Sequence, residues 1–267
     1  MVGSKCVTLE SLNQKSLAAF IAGQVCALQV PNFLVQDLCE QLAMWYQRHP
    51  KSQNYTHEVY VDGNPVHIDT GVTRVGTPYN ITYGKMRGDS SFQKYYNDAL
   101  PNIMEVRDAC FPFLAPIDKV RLLLDELYIH GAQIARFDGQ VMFAGIGRIT
   151  RPNALGIEEP HFDALPQGYG LEQQFSANVY LTVPEEGGDL EVWDHTPLTA
   201  DQVSNEDSNK DWRSELGKSY CIRPQQGDLI IINTRRAHAV RSFQNGSRIS
   251  ISCFIGYKSG EPLLLWS

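Results

Sequence analysis

The chain has 267 residues, 43% of them hydrophobic and 20% charged, with a formal net charge of −7. This composition excludes a disordered tail, a collagen and a coiled coil. The acidic balance weighs against nucleic acid and against an anionic membrane surface, because both are bound through Lys and Arg.

The first half reads as helix-rich. Apolar residues recur at helical spacing over 9–22. The pattern is clearer over 33–49, where Leu34, Leu38, Leu42, Met44 and Trp45 form one stripe that ends before Pro50. A third helix is predicted over 90–111, interrupted by Pro101. A fourth is predicted over 117–128, with Val120, Leu123, Leu124 and Leu127 toward the core.

The second half changes character. Runs rich in Val, Ile, Tyr and Phe alternate with Gly, Asp, Asn and Pro clusters, predicting strands over 132–137, 141–150, 176–183, 190–193, 220–223, 228–233, 239–243 and 247–257. Their spacing points to an antiparallel sandwich or barrel. Strict alternation over 248–252 puts Arg248, Ser250 and Ser252 on one face and Ile249 and Ile251 on the other. The polar stretch 194–218 is long for a loop and is a candidate lid. No repeat or linker divides the chain, so residues 1–267 read as one domain: a helix-rich support over 1–130 covering a β core over 131–267. The N-terminal segment carries no signal-peptide pattern. No apolar run reaches the roughly 18 residues of a membrane helix. The six cysteines form no CxxC pair. These features predict reduced thiols and a cytoplasmic location.

One histidine stands in an unusual context. His161 and Asp163 are two residues apart, so on extended chain they share a face and can grip one divalent metal. His238 follows 75 residues after Asp163, behind the apolar run 229–232 and a polar turn. A third ligand from there completes a 2-His-1-carboxylate triad, which leaves positions open on Fe(II) for O2 chemistry. Ten residues on, Arg248 with Ser250 beside it suits charge-assisted binding of a carboxylate. A chance His-x-Asp is common; the order His-x-Asp, His, Arg-x-Ser is what singles out this set. His49, His57, His67 and His130 have no such pattern and read as structural or surface residues. His195 reads as an exposed loop residue, with contact to substrate from the candidate lid as the alternative, and Phe162 reads as a packing residue.

The stretch 143–257 resembles the Fe(II)/2-oxoglutarate-dependent oxygenases. The run 179–190 and the terminal Leu265-Trp266-Ser267 are similar to the free-standing small-molecule members, the aliphatic halogenases of indole alkaloids and the hydroxylases of N-substituted amino acids. The resemblance implies a double-stranded β-helix, the cupin-like jelly roll, with supporting helices. It implies His161, Asp163 and His238 as iron ligands, and 2-oxoglutarate and O2 as cosubstrates. Arg248 and Ser250 would then hold the distal carboxylate of 2-oxoglutarate. Halogenases of this type carry a small residue where this chain has Asp163, so halogenation is not expected; hydroxylation, desaturation or oxidative ring closure is.

Asn178 and Tyr180 alternate inward and either bond 2-oxoglutarate or fill the barrel. Arg148 is a candidate to hold a substrate carboxylate or the cosubstrate. Tyr79, Ile81 and Tyr83 lie in a segment that lines the substrate pocket in similar enzymes; the bland reading is a turn covering the sheet. Arg235, Arg236 and Arg241 either face the pocket or form a solvated turn. The substrate expected is a small anionic or zwitterionic metabolite, an amino acid derivative or alkaloid, with neither nucleic acid nor membrane as partner. Two rival readings are a cupin-like metal protein without redox turnover, which would not need Arg248 and Ser250, and the same chemistry on a protein.

Overall fold

The computed structural model describes residues 5–61, 64–86, 88–137, 139–154, 157–166, 169–197 and 212–267. In chain order it runs β1 (Lys5–Thr8), α1 (Gln14–Ile21), β2 (Val25–Val30), α2 (Gln36–Gln47), β3 (Gln53–Val61) and β4 (Asn64–Val75). A 3-10 turn at Tyr79–Thr82 leads into α3 (Ser90–Cys110) and α4 (Pro116–Leu127). Next come β5 (Ala132–Ile134), the short hairpin β6 (Arg136–Phe137) and β7 (Gln140–Val141), β8 (Ile146–Thr150), β9 (Gln173–Thr182) and β10 (Leu190–Trp193). The chain continues through α5 (Trp212–Glu215), β11 (Ser219–Ile222), β12 (Leu229–Asn233), β13 (His238–Val240), β14 (Arg248–Tyr257) and β15 (Leu263–Trp266).

The four predicted helices are present, but the first half also holds four strands that the helical reading did not include. The N-terminal helix is shorter than expected, because Asn13 caps it: Asn13 accepts from Ser16 N–H and Ser16 answers Asn13 N–H. Pro101 does not interrupt α3. The buried stripe Tyr95, Ala99, Ile103, Val106 and Cys110 runs straight past it, and that burial offsets the roughly 3 kcal/mol a proline costs inside a helix.

The strands form the two facing sheets of a jelly roll. The large sheet runs β1-β2-β12-β9-β14-β8-β4-β3, with β15 beside β14 and β5; the small sheet runs β11-β10-β13. Alternation along the central strands separates two environments. Val179, Ile231, Ile249 and Ile251 face outward and pack under Leu38, Leu42 and Tyr46 of α2 and Val120 and Leu124 of α4. Each such fully buried side chain contributes about 1.5–3 kcal/mol. Tyr180, Ile230 and Ile232 face inward, against Leu190 and Val192 of β10 and Ile222 of β11. Helices therefore cover the outer face and leave the inner face free for a site between the sheets. No helix among the described residues is long and apolar enough to cross a membrane.

Candidate active site

His161 and His238 meet at an antiparallel bridge beside the small sheet. His161 N–H donates to the His238 carbonyl at 3.0 Å, and His238 N–H donates to the His161 carbonyl at 3.1 Å. Residues that exchange both bonds point to the same side, and the two rings stand 4.4 Å apart. Asp163 returns to that side two residues later, its N–H bonded to the Thr234 carbonyl at 3.1 Å. Asp163 Oδ2 lies 3.6 Å from His238 Nε2. One ligand atom from each of the three residues falls within 4.8 Å of the others.

The imidazoles are poised in one tautomer. Nδ1 of His161 faces the Glu159 carbonyl at 3.0 Å, and Nδ1 of His238 faces the Arg236 carbonyl at 3.1 Å. A carbonyl only accepts, so Nδ1 holds the proton and Nε2 offers its lone pair. Burial, with His161 adding to it, brings the His238 pKa down to about 4 despite the opposing Asp163 carboxylate. The ring is therefore neutral near pH 7, as a metal ligand must be. Two imidazoles and one carboxylate, with His161 on the exposed side, make a donor set that fits Fe(II) and leaves room for further ligands.

The turn before His238 supports this set from behind. Arg235 is 1% exposed. Its Nη1 donates to the Asp163 carbonyl at 3.0 Å. Gln174 Nε2 donates to the Ala164 carbonyl at 3.3 Å and to Thr234 Oγ1 at 3.2 Å. Arg236, 3% exposed, spans Gly23, Asp194 and His195. The reading of Arg235 and Arg236 as a solvated turn is therefore corrected: both guanidiniums run inward and hold main-chain carbonyls that would otherwise be stranded. Arg241 alone is solvated and pairs with Glu191 at 3.5 Å. His195 is likewise half-buried rather than exposed: its Nε2 accepts from Ala237 N–H at 2.8 Å, beside His238. Phe162 packs toward Trp193, Ala237 and Ala239, as expected.

On the facing sheet, Arg248, Ser250 and Ser252 line the inner face of β14, and all three are buried. Arg248 Nη2 donates to Tyr180 Oη at 3.0 Å, and the guanidinium carbon sits 4.8 Å from the Tyr180 ring centre. Arg248 Nε is buried with no hydrogen-bond partner. An orphaned donor on a buried cation fits a carboxylate that is bound there in use. The turn before β10 packs against this side chain: Gly187 and Gly188 have φ of +72° and +71°, and a Cβ on Gly188 would sit 3.7 Å from Arg248 Cδ. Asn178 bonds Ser176 Oγ at 3.0 Å and stands opposite Ser252.

The remaining candidates separate. Arg148 lies opposite Ser250 and donates to Ser252 Oγ at 3.1 Å, on the inner face. Its charge reaches His238. Tyr83 is 38% exposed; partial burial raises its phenol pKa, and the Asp163 carboxylate adds to the rise. Tyr79 is 5% exposed and packs on Tyr95, with Ile81 against the same cluster. Trp266 joins that cluster, and Ser267 Oγ accepts from Gly145 N–H at 3.0 Å while donating to the Ser252 carbonyl at 2.9 Å. The terminal motif thus braces the strand that carries the polar row. The expected lid falls largely on 198–211, outside the described residues.

Residues 153–256 match the sequence profile of the 2OG-Fe(II) oxygenase superfamily. The chain is 30% identical over 116 residues to an L-gamma-glutamyl-L-propargylglycine hydroxylase of Streptantibioticus cattleyicolor, across 40% of this chain and 43% of that one. It is 26% identical over 151 residues to an L-isoleucine 3(1)-dioxygenase of Pantoea ananatis, across 50% of each. The chain thus spans half or less of the length of these relatives. Its fold matches that of the non-heme alpha ketoglutarate dependent carbocyclase SnoK of nogalamycin biosynthesis, with a TM-score of 0.55, 14% identity, and coverage of 95% of this chain and 87% of that one.

Proposed function

From the match of residues 153–256 to the 2OG-Fe(II) oxygenase superfamily profile, we propose that the chain is an Fe(II)- and 2-oxoglutarate-dependent dioxygenase acting on an unactivated C–H bond of a small carboxylate-bearing metabolite, an amino acid derivative or alkaloid. The carrying observation is the convergence of His161, Asp163 and His238 donor atoms within 4.8 Å. The relatives named for a γ-glutamyl amino acid and for isoleucine support the substrate class. The whole of 1–267 is read as one oxygenase domain, because α2 and α4 pack directly on the strands that carry the inner polar row.

In this reading His161, Asp163 and His238 hold Fe(II), which together with 2-oxoglutarate and O2 supplies the oxidant for the C–H bond. The protein's part is binding and orientation. Arg248 takes the distal carboxylate of 2-oxoglutarate through its free donor, and Tyr180 holds the guanidinium in place. Ser250 sits beside it, opposite Tyr180. The apolar layer of Ile230, Ile232 and Leu190 keeps water from one side of the pocket, so these charges act at low dielectric. Hydroxylation converts R–H, O2 and 2-oxoglutarate into R–OH, succinate and CO2. Desaturation or ring closure releases water in place of the hydroxyl.

The decisive experiment is anaerobic addition of Fe(II) and 2-oxoglutarate, with the visible metal-to-ligand absorption as readout. A band in the wild type that is lost in Arg248→Ala at the same 2-oxoglutarate concentration supports the reading. No band, with 2-oxoglutarate affinity unmoved by Arg248→Ala, overturns it in favour of a non-redox metal protein. Mass spectrometry of the product then separates hydroxylation, a gain of one oxygen, from desaturation or cyclisation, a loss of two hydrogens.

A further inference from the structure

The inner face of the large sheet carries more positive charge than 2-oxoglutarate can answer. Arg74 of β4 stands directly opposite Arg148 of β8, and Arg148 stands directly opposite Ser250 of β14. Directly paired residues of adjacent strands share a face, with Cβ atoms about 4.5–5.5 Å apart, and like charges so placed repel. Arg74, Arg148 and Ser250 therefore form one row leading away from Arg248.

Neither Arg74 nor Arg148 forms an ion pair with a carboxylate among the described residues. Apart from Arg148, the side chains that Arg74 meets among the described residues are neutral. Its Nη2 reaches Gln53 Oε1 only at 3.5 Å, and its guanidinium carbon lies 5.5 Å from the Tyr55 ring centre. The Tyr55 hydroxyl accepts from Asn80 Nδ2 at 2.8 Å, so Asn80 steadies that ring. Arg74 Nε is buried without a partner. Burial lowers the Arg74 pKa, and Arg148 lowers it further. Two half-buried cations side by side, one with a buried donor that has no partner, favour an anion between them.

We propose that Arg74 and Arg148 together form a binding site for a carboxylate of the substrate, separate from the Arg248 site that holds 2-oxoglutarate. The inference rests on the oxygenase reading above and deepens it by naming the residues that hold the substrate's carboxylate. Arg148 sits diagonal to Arg248 and its charge reaches His238, so it links the two ends of the pocket. Arg74 lies two strands from β14 and belongs to the substrate alone. A carboxylate bound there has a planar pair of oxygens for the forks of two guanidiniums. It also anchors the substrate on the wall of the pocket opposite the metal ligands, which leaves the aliphatic remainder to extend toward them.

The test uses the full chain loaded with Mn(II) and 2-oxoglutarate, which binds without turnover. The twenty L-amino acids and γ-L-glutamyl-L-alanine are titrated calorimetrically, and the tightest binder is compared with its carboxamide. The expected result is that the acid binds at least tenfold tighter than the amide, that Arg74→Gln removes this preference, and that 2-oxoglutarate affinity in Arg74→Gln stays within twofold. Without substrate, Arg74→Gln melts at or above the wild-type temperature, because a repulsive pair has been relieved. The proposal is overturned if no acid is preferred over its amide, or if Arg74→Gln weakens 2-oxoglutarate tenfold and leaves the acid preference intact, which makes the anion the cosubstrate. A fall of several degrees in melting temperature with the preference intact also overturns it, since Arg74 then only packs. The Fe(II)–2-oxoglutarate band separates the two readings: present, it leaves the oxygenase standing when the substrate site fails; absent from the wild type, the oxygenase itself has failed.

Discussion

Thr234 and Arg235 grip Asp163 by the two peptide units that flank it. The Thr234 carbonyl accepts the Asp163 N–H at 3.1 Å, and Arg235 Nη1 donates to the Asp163 carbonyl at 3.0 Å. The carboxylate ligand is thus oriented by main-chain bonds, independently of any bound ion. Arg235→Ala strands a buried carbonyl and opens a void, so it should cost about 2–4 kcal/mol. Arg235→Lys keeps the charge but lacks the fork. We expect Arg235→Lys to retain most of the stability and to bind Fe(II) several-fold more weakly, checked by urea unfolding and by calorimetric metal titration. If Arg235→Lys binds metal as wild type does, Arg235 supports the fold but not the ligand.

The ligands themselves should behave differently. Asp163 and His161 face the pocket, and the backbone of their segment is held by the bonds above. Asp163→Gly should therefore lower Fe(II) affinity by about 100-fold or more and abolish hydroxylation, with only a small loss of metal-free stability. Retained hydroxylation in Asp163→Gly would show that Asp163 is not a ligand.

Tyr180 offers a graded test of the cosubstrate site. Its hydroxyl accepts the Arg248 bond at 3.0 Å in a fully buried position. Tyr180→Phe removes one bond to a charged group, worth about 1.5–3 kcal/mol. It should weaken 2-oxoglutarate by about 10-fold or more through loss of guanidinium orientation, and Arg248→Ala should weaken it further. Equal affinities in wild type and Tyr180→Phe would assign Tyr180 to barrel filling.

The candidate site was legible because its signals are local: His161 and Asp163 two apart, Arg248 and Ser250 two apart, and an apolar strand before His238. The alternation over 248–252 gave the inner and outer faces of β14 correctly, since period two is a property of the strand itself. What escaped was set by distant pairing. β2 takes its place beside β12, some 200 residues away, and β1 pairs with it in parallel, so neither carries a hairpin signal. The β3 and β4 pair did carry one, Asp62-Gly63 between alternating residues. Arg74 could not be read as a site residue without knowing that β4 lies beside β8. The inward run of Arg235 and Arg236 was left open against a solvated turn, because charge at a turn ordinarily means solvent.

Glu191 gives the pH dependence. It is 3% exposed and accepts from Ser219 Oγ at 2.7 Å and Arg213 Nη1 at 2.9 Å. Burial alone would raise its pKa, but the Ser219 and Arg213 bonds outweigh it and hold the carboxyl below its usual 4.5. A carboxyl depressed in the folded state contributes stability that is present above the unfolded value and is lost as pH falls through the folded one. Wild type should therefore exceed Glu191→Gln in urea stability at pH 7, and the gap should close below pH 4.5. A gap that is constant from pH 7 to 3.5 would mean that the packing of Glu191, and not its charge, is what counts.

The docking of α2 can be tested from the opposite side of the sheet. Gly147 lies in β8 next to Arg148, and a Cβ placed on it would stand 2.1 Å from Cε1 and 2.5 Å from Cδ1 of Tyr46. Its φ is unremarkable for any residue, so the demand for glycine is steric. Tyr46 is fully buried on α2 and cannot swing into solvent. Gly147→Ala should then cost at least about 1–3 kcal/mol by overpacking. It should also weaken substrate binding more than 2-oxoglutarate binding, because β8 carries Arg148. Tyr46→Leu on its own leaves a void and also destabilises. The void and the clash occupy the same space, so the double variant should be more stable than the two losses added together, with a coupling of about 0.5–3 kcal/mol. Strict additivity in the double-mutant cycle would place the cost of Gly147→Ala somewhere other than the Tyr46 ring.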